Sequence, residues 1–148
     1  MNEAPKLNAL IPELYCTSIK ASIAYYTKIL GFEILYQREE ATFAMLERQG
    51  AQVMLDEYVH GGARSWIAGP LEAPFGRGMN LDIRTDNVEE LYEKVEASGA
   101  KIFLPIEDKW YRANDIDLGS RQFIVLDPDG YLLRFSGSLG TRPAQTVL

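Results

Sequence analysis

The chain carries a single cysteine, Cys16, and a single histidine, His60, in 148 residues. One cysteine excludes an intrachain disulfide framework. A lone histidine in a glycine-rich stretch reads as a solvated loop residue, not a metal ligand. Long hydrophobic runs are also missing. No segment approaches the roughly 20 apolar residues that cross a bilayer, so no membrane association is expected. The opening MNEAPKLNAL has no basic stretch followed by a long apolar run. No secretory signal is therefore expected, and the cytoplasm is the expected compartment. Positive charge is in deficit, with 15 Lys and Arg against 21 Asp and Glu, a net charge of -6 and a pI near 4.8. Such a field repels phosphate backbones and draws in small cations, so nucleic acid is not expected as a partner. No G-x-S-x-G elbow, G-x-G-x-x-G turn or P-loop occurs, which leaves no recognised nucleophile or nucleotide cradle.

What is present is an ordinary globular balance, 47% hydrophobic and 24% charged, in a length that suits one domain. ALIPELYC, residues 9–16, reads as an extended apolar segment. Pro12 cannot donate to a ladder, which predicts an edge strand or a break. Ile19, Ile23, Tyr26, Ile29 and Leu30 recur at helical spacing, with Ser18 as N-cap and Gly31 as terminator. Strands are predicted over 32–38, 42–48 and 51–58, the last two joined at Gln49-Gly50. Residues 59–78 hold five glycines and two prolines and read as a long connection.

The order then starts again. A strand is predicted over 79–85, followed by a helix capped by Asp86 or Asn87 and ending at Gly99. Strands follow over 101–106, 120–126 and 131–136, with a turn at Asp127-Pro128-Asp129-Gly130. Residues 110–118 read as a short strand or a flap, and the tail from Gly137 as loose. Gly31 and Gly99 close equivalent helices 68 residues apart, and Ile34 and Ile102 each follow three residues later. The expectation is an α+β fold of two βαβββ modules, about 9–58 and 79–136. Together they form a curved mixed sheet around a cavity.

The segments SIAYYTKILGFEI and SRQFIVLDPDGYLLRF resemble the first helix-turn and the closing hairpin of the vicinal-oxygen-chelate superfamily. This superfamily includes glyoxalase I, extradiol dioxygenases and bleomycin-resistance proteins. The resemblance covers roughly residues 11–135. It implies metal-ligand slots at Ile11 or Pro12, Leu55 or Asp56, Asn80 and Arg134. Ile11 has no donor, Arg134 repels a cation and Asn80 alone binds poorly, so no metal and no other cofactor is expected. A glyoxalase- or dioxygenase-like metalloenzyme with unusual ligands is the alternative, and a domain that only dimerises is a third reading.

The branch most resembled is that of the bleomycin-resistance proteins, whose ligand lies against aromatics in a dimer-interface groove. The resemblance implies a homodimer, with the first strand exchanged between subunits. It also implies a small-molecule ligand that is cationic and aromatic and is sequestered without being transformed. It places ring contacts at Tyr36 and Phe43. The family's tryptophan before the G-R-x-F stretch is replaced by Leu118-Gly119-Ser120-Arg121-Gln122-Phe123. Trp110 and Tyr111 are expected to substitute for it from a flap, and Trp66 to cover the cavity from the long loop or to dock on the partner subunit. Glu107 and Asp108 read as a solvated turn, and Cys16 as a small core residue.

Overall fold

The computed structural model describes residues 3–59 and 65–145. His60 lies outside the described residues. The chain divides into two compact units, residues 1–77 with 127–131, and residues 78–126 with 132–148.

The first unit opens with β1 (Glu13–Cys16) and α1 (Ile19–Ala24), which widens into a π turn over Tyr25–Ile29. The Ser18 hydroxyl accepts from the Ala21 amide at 3.2 Å, so the expected N-cap forms. Gly31 ends the helix at φ +80°, a conformation only glycine adopts freely. β2 (Glu33–Arg38), β3 (Phe43–Arg48) and β4 (Ala51–Glu57) complete a four-stranded sheet in the order β1-β4-β3-β2. β1 runs parallel to β4 of its own chain and lies at the sheet edge, where the preceding proline lacks no partner. Leu14, Cys16, Val53, Leu55, Ala44 and Leu46 are buried and alternate with the residues of the opposite face.

The turn at residues 127–131 belongs to this unit. The Asp127 Oδ1 accepts from the amides of Asp129 and Tyr131, both at 2.9 Å, and its Oδ2 accepts from the Tyr26 hydroxyl at 2.8 Å. Thr17 donates through its amide and hydroxyl to Asp129, at 3.2 and 2.7 Å. The Tyr131 hydroxyl donates to the Tyr15 carbonyl at 2.8 Å. A Cβ added to Gly130, at φ +85°, would run into Pro74, so the turn and the 73–76 segment require glycine there.

The second unit repeats the order with β5 (Asn80–Arg84), α2 (Val88–Ala97), β6 (Ile102–Ala113), β7 (Ile116–Leu126) and β8 (Leu132–Pro143), arranged β5-β8-β7-β6. Each module therefore builds its own four-stranded mixed sheet, with one parallel and two antiparallel pairings. Four local expectations are corrected. The tail is not loose, because β8 continues to Pro143 through backbone pairing with β7. Residues 110–118 are the tip of the β6–β7 hairpin. Glu107 and Asp108 lie within β6, where Asp108 pairs with Arg121. Asn87 precedes α2 at φ +38° without a side-chain cap.

Burial dominates over three hydrogen bonds at Asp127 and pushes its carboxyl up to about 6. The folded state therefore binds a proton that the unfolded state has released between roughly pH 4 and 6. Stability from this group is fully present below the unfolded value and is lost as pH rises through about 6. Relative to Asp127→Asn, which mimics the protonated form, the wild type is expected to lose up to about 3 kcal/mol over that window. Urea denaturation at half-unit pH steps checks this. A stability difference that stays flat from pH 4 to 7 would contradict the raised carboxyl.

Candidate functional site

Alternation along the strands of the first unit separates two faces. One carries the buried apolar row described above. The other carries Glu13 and Tyr15 of β1, Met54 and Asp56 of β4, Phe43 and Met45 of β3, and Tyr36 and Arg38 of β2. The register confirms the grouping, pairing Tyr15 with Asp56, Phe43 with Asp56, and Arg38 with Phe43.

The rings on this face form two clusters. Tyr36 and Phe43 stack with centroids 6.0 Å apart and planes inclined by 30°. The Arg38 guanidinium lies over Phe43 at 4.0 Å and reaches Tyr36 at 5.9 Å. In the second cluster Trp66 stacks on Tyr15 at 3.9 Å and 16°, and Tyr58 meets Tyr15 edge-on at 5.7 Å. Trp66 is half exposed. Tyr15, Tyr58, Asp56, Thr42 and Ser65 help to line a pocket of about 160 Å³. A wider hollow of about 430 Å³ runs between α1 and the end of β2. Its lining includes Lys20, Lys28, Ile23 and Thr27, with one ring, Phe43. The smaller pocket is the better candidate, because rings and a carboxylate converge on it.

Two carboxyls sit among these rings. Burial, its largest cause, raises the Glu13 carboxyl, and the neighbouring Asp56 raises it further. Burial also raises Asp56, against the pull of Arg38. The hydrogen bond between them favours the protonated form of Glu13 and the ionised form of Asp56. Two neighbouring carboxyls on a partly buried face oppose each other's ionisation in this way. None of Glu13, Tyr15, Arg38 or Tyr58 was singled out from the sequence. The available signal was the alternation Glu13-x-Tyr15 beside Met54-x-Asp56-x-Tyr58.

In the second unit Trp110 and Tyr111 are adjacent on β6 and so face opposite sides of the sheet. The Trp110 ring covers Gly119, where a Cβ would stand 2.8 Å from it, and the Arg142 guanidinium lies 4.2 Å from its centroid. The Tyr111 hydroxyl accepts from Gln122 Nε2 at 2.6 Å, and Glu107 accepts from the same nitrogen at 3.2 Å. Tyr36 and Phe43 are thus brought together, Trp66 stands with Tyr15 and Tyr58, and Trp110 and Tyr111 do not line one surface.

The metal-ligand slots do not fit a divalent ion. Leu55 is buried on the apolar face, Asn80 is exposed, and Arg134 lies 3.7 Å from Asp82. Among the described residues no three His, Cys, Asp or Glu side chains cluster in a way that could hold a metal. Burial pushes the Cys16 thiol up to about 12, which leaves it a core residue and not a nucleophile.

Comparison with known proteins follows the same direction. The model of the Glyoxalase/Bleomycin resistance protein/Dioxygenase superfamily matches residues 7–135. Bleomycin resistance proteins of Geobacillus stearothermophilus and Staphylococcus aureus are 29% identical over 141 residues, covering 84% of this chain and 92% of each relative. TioX from Micromonospora sp. ML1 matches with TM-score 0.69 and 24% identity over 89% of this chain and 99% of its own. A protein of unknown function from Agrobacterium tumefaciens matches with TM-score 0.67 and 24% identity over 92% and 98%. These two likenesses are of fold.

Phe43 is only 5% exposed, so it serves packing as well as any ligand. Phe43→Ala is expected to lower stability by about 3 kcal/mol, a cost typical of an emptied core site. Tyr36→Ala, at a half-buried position, is expected to lower it by about 1 kcal/mol. Chemical denaturation measures both, and equal losses at the two sites would refute this division of roles.

Proposed function

Because the chain belongs to the glyoxalase/bleomycin resistance protein/dioxygenase superfamily, we propose that it is a metal-free binding protein. It would act in the cytoplasm and sequester a small cationic aromatic compound of the bleomycin class. One observation carries the reading, the ring-and-carboxyl face of the first sheet. Tyr15, Trp66, Tyr36 and Phe43 offer stacking surface there beside Glu13 and Asp56. Stacking and cation–π contact contribute roughly 0.5–2 kcal/mol per ring. The net charge of -6 adds a long-range attraction that salt weakens. In this reading Trp110 is held for packing by Arg142 and Tyr111 by Gln122, within the second unit.

The pocket of about 160 Å³ is smaller than the roughly 300–1,000 Å³ of drug-sized sites. It therefore receives one ring or cationic group, and the rest of the ligand lies on the open face. The absence of a fitting donor set at the family's slots favours holding a ligand over transforming it. The bleomycin resistance relatives support the drug class. We also propose that both modules act as one domain, in a homodimer that places the groove at its interface. Exchange of the first strand would reproduce the β1–β4 pairing between subunits.

A thermal-shift series with bleomycin, phleomycin and planar aromatic cations tests the function. At least one is expected to raise the melting temperature, with the shift unaffected by a chelator and reduced by Trp66→Ala. No shift with any of them would remove the binding reading. A tightly held stoichiometric metal, lost in Asn80→Ala, would favour the metalloenzyme instead. Light scattering at micromolar concentration is expected to give twice the 16.7 kDa of one chain, and the mass of a monomer would exclude the interface groove.

A further inference from the structure

We propose that Arg38 is an internal stand-in for the cation of the ligand, and that the group it yields to is a planar cation of the guanidinium or amidinium type. The inference rests on the binding reading above and gives its site a chemical preference.

The geometry already shows what this face holds. The Arg38 guanidinium lies 4.0 Å from the centroid of Phe43, on the same face as Tyr36. The strand register sets Phe43 between Arg38 and Asp56, and the carboxyls of Glu13 and Asp56 both feel the charge of Arg38. A planar cation over an aromatic face with carboxylates nearby is the pairing that guanidinium groups favour and ammonium groups match less well. The two rings are 6.0 Å apart, less than two stacking distances of roughly 3.5 Å. The cation therefore rests on Phe43 instead of sliding between the rings, as Arg38 does.

Ring contact and charge hold Arg38 in that place from an exposed position. It is the last residue of β2 and is exposed, and Glu39–Ala41 form the turn that follows. Ala41 and Thr42, just beyond it, help line the small pocket with Asp56, so the cage and the pocket adjoin. Charge attraction at an exposed side chain contributes little, and a long side chain pays entropy to stay ordered. A rigid planar cation of the ligand loses less on binding and can take the position. The occupant must still be cationic, because removing Arg38 leaves Glu13 and Asp56 without their compensating charge. A neutral ring gains the stacking but not the charge.

Benzamidine and its neutral isostere benzamide separate the two contributions. Both are titrated by calorimetry into wild type, Arg38→Gln and Arg38→Lys, with melting temperatures taken for each variant. Arg38→Gln is expected to bind benzamidine about tenfold tighter than wild type, since its competitor is gone, while benzamide, which gains only the freed ring, is expected to tighten by less than threefold. Arg38→Lys is expected to remain within threefold of wild type. Adding Asp56→Asn to Arg38→Gln is expected to abolish the gain. Unchanged or weaker benzamidine binding by Arg38→Gln would overturn the proposal, as would an equal gain for benzamide. If the drugs still raise the melting temperature in that case, the binding reading survives and only the role of Arg38 falls. If neither the drugs nor benzamidine bind any variant, both fall.

Discussion

The carboxyl of Asp127 is the acceptor on which the first unit depends. It gathers two amides of its own turn and the hydroxyl of Tyr26, a side chain 101 residues away in sequence and fully buried beside the helix. A buried donor left unpaired is expensive, so these three bonds fix the turn against the helix more firmly than apolar contact alone. Three further bonds extend the effect. Asp129 holds Thr17 immediately after β1, and Tyr131 holds the carbonyl of Tyr15 within it. Tyr15 is the ring on which Trp66 stacks. Thus the acidic turn sets the backbone of the strand whose alternate side carries the candidate site.

Alternation does the rest of the positioning. β1, β3 and β4 each bury one row of side chains beneath the helix and leave the other row for the opposite face. On the buried row burial keeps Cys16 protonated and inert. On the opposite row burial is partial, and it raises Glu13 and Asp56 without removing their mutual hydrogen bond. The same physical cause gives a dead thiol on one face and two carboxyls raised above their ordinary range on the other. The difference lies in the partners each group meets, since Asp56 has the positive charge of Arg38 nearby, whereas at Cys16 only the Ser22 hydroxyl opposes burial and the surrounding carboxylates add to it.

Much of this architecture was legible in the sequence because it depends on local chemistry. Ser18, Gly31 and the Asp127-Pro128-Asp129-Gly130 turn are local signals with a single backbone reading, and a second helix-ending glycine, Gly99, 68 residues after Gly31, announced the second module. The extension of β8 to Pro143 was not legible. Gly137 and Gly140 break any apolar alternation, and the strand exists because β7 supplies a ladder for it. The site was half legible. Tyr36 and Phe43 come together as expected, whereas Tyr15 and Tyr58 looked like ordinary strand aromatics. Trp66 sits in a stretch without period, so no sequence pattern could pair it with Tyr15. Trp110 and Tyr111 illustrate the opposite error, since adjacency in sequence suggested a shared wall that a strand forbids.

The two sheets also differ in how much of their polar surface is already satisfied. In the second unit the Ser136 hydroxyl donates to Asp82 at 2.7 Å, Ser120 donates to Gln122 at 3.2 Å, and Gln122 donates to Tyr111 and Glu107. A ligand reaching that face would have to replace bonds that are made, and the exchange yields little net gain. On the face of the first sheet the attraction comes instead from the half-exposed ring of Trp66, from two neighbouring carboxyls, and from a cation on an exposed side chain. Breaking an exposed ion pair costs less than breaking a buried hydrogen-bond network. Selectivity for charge and flatness therefore falls to the first sheet, and the second is better suited to holding its own shape.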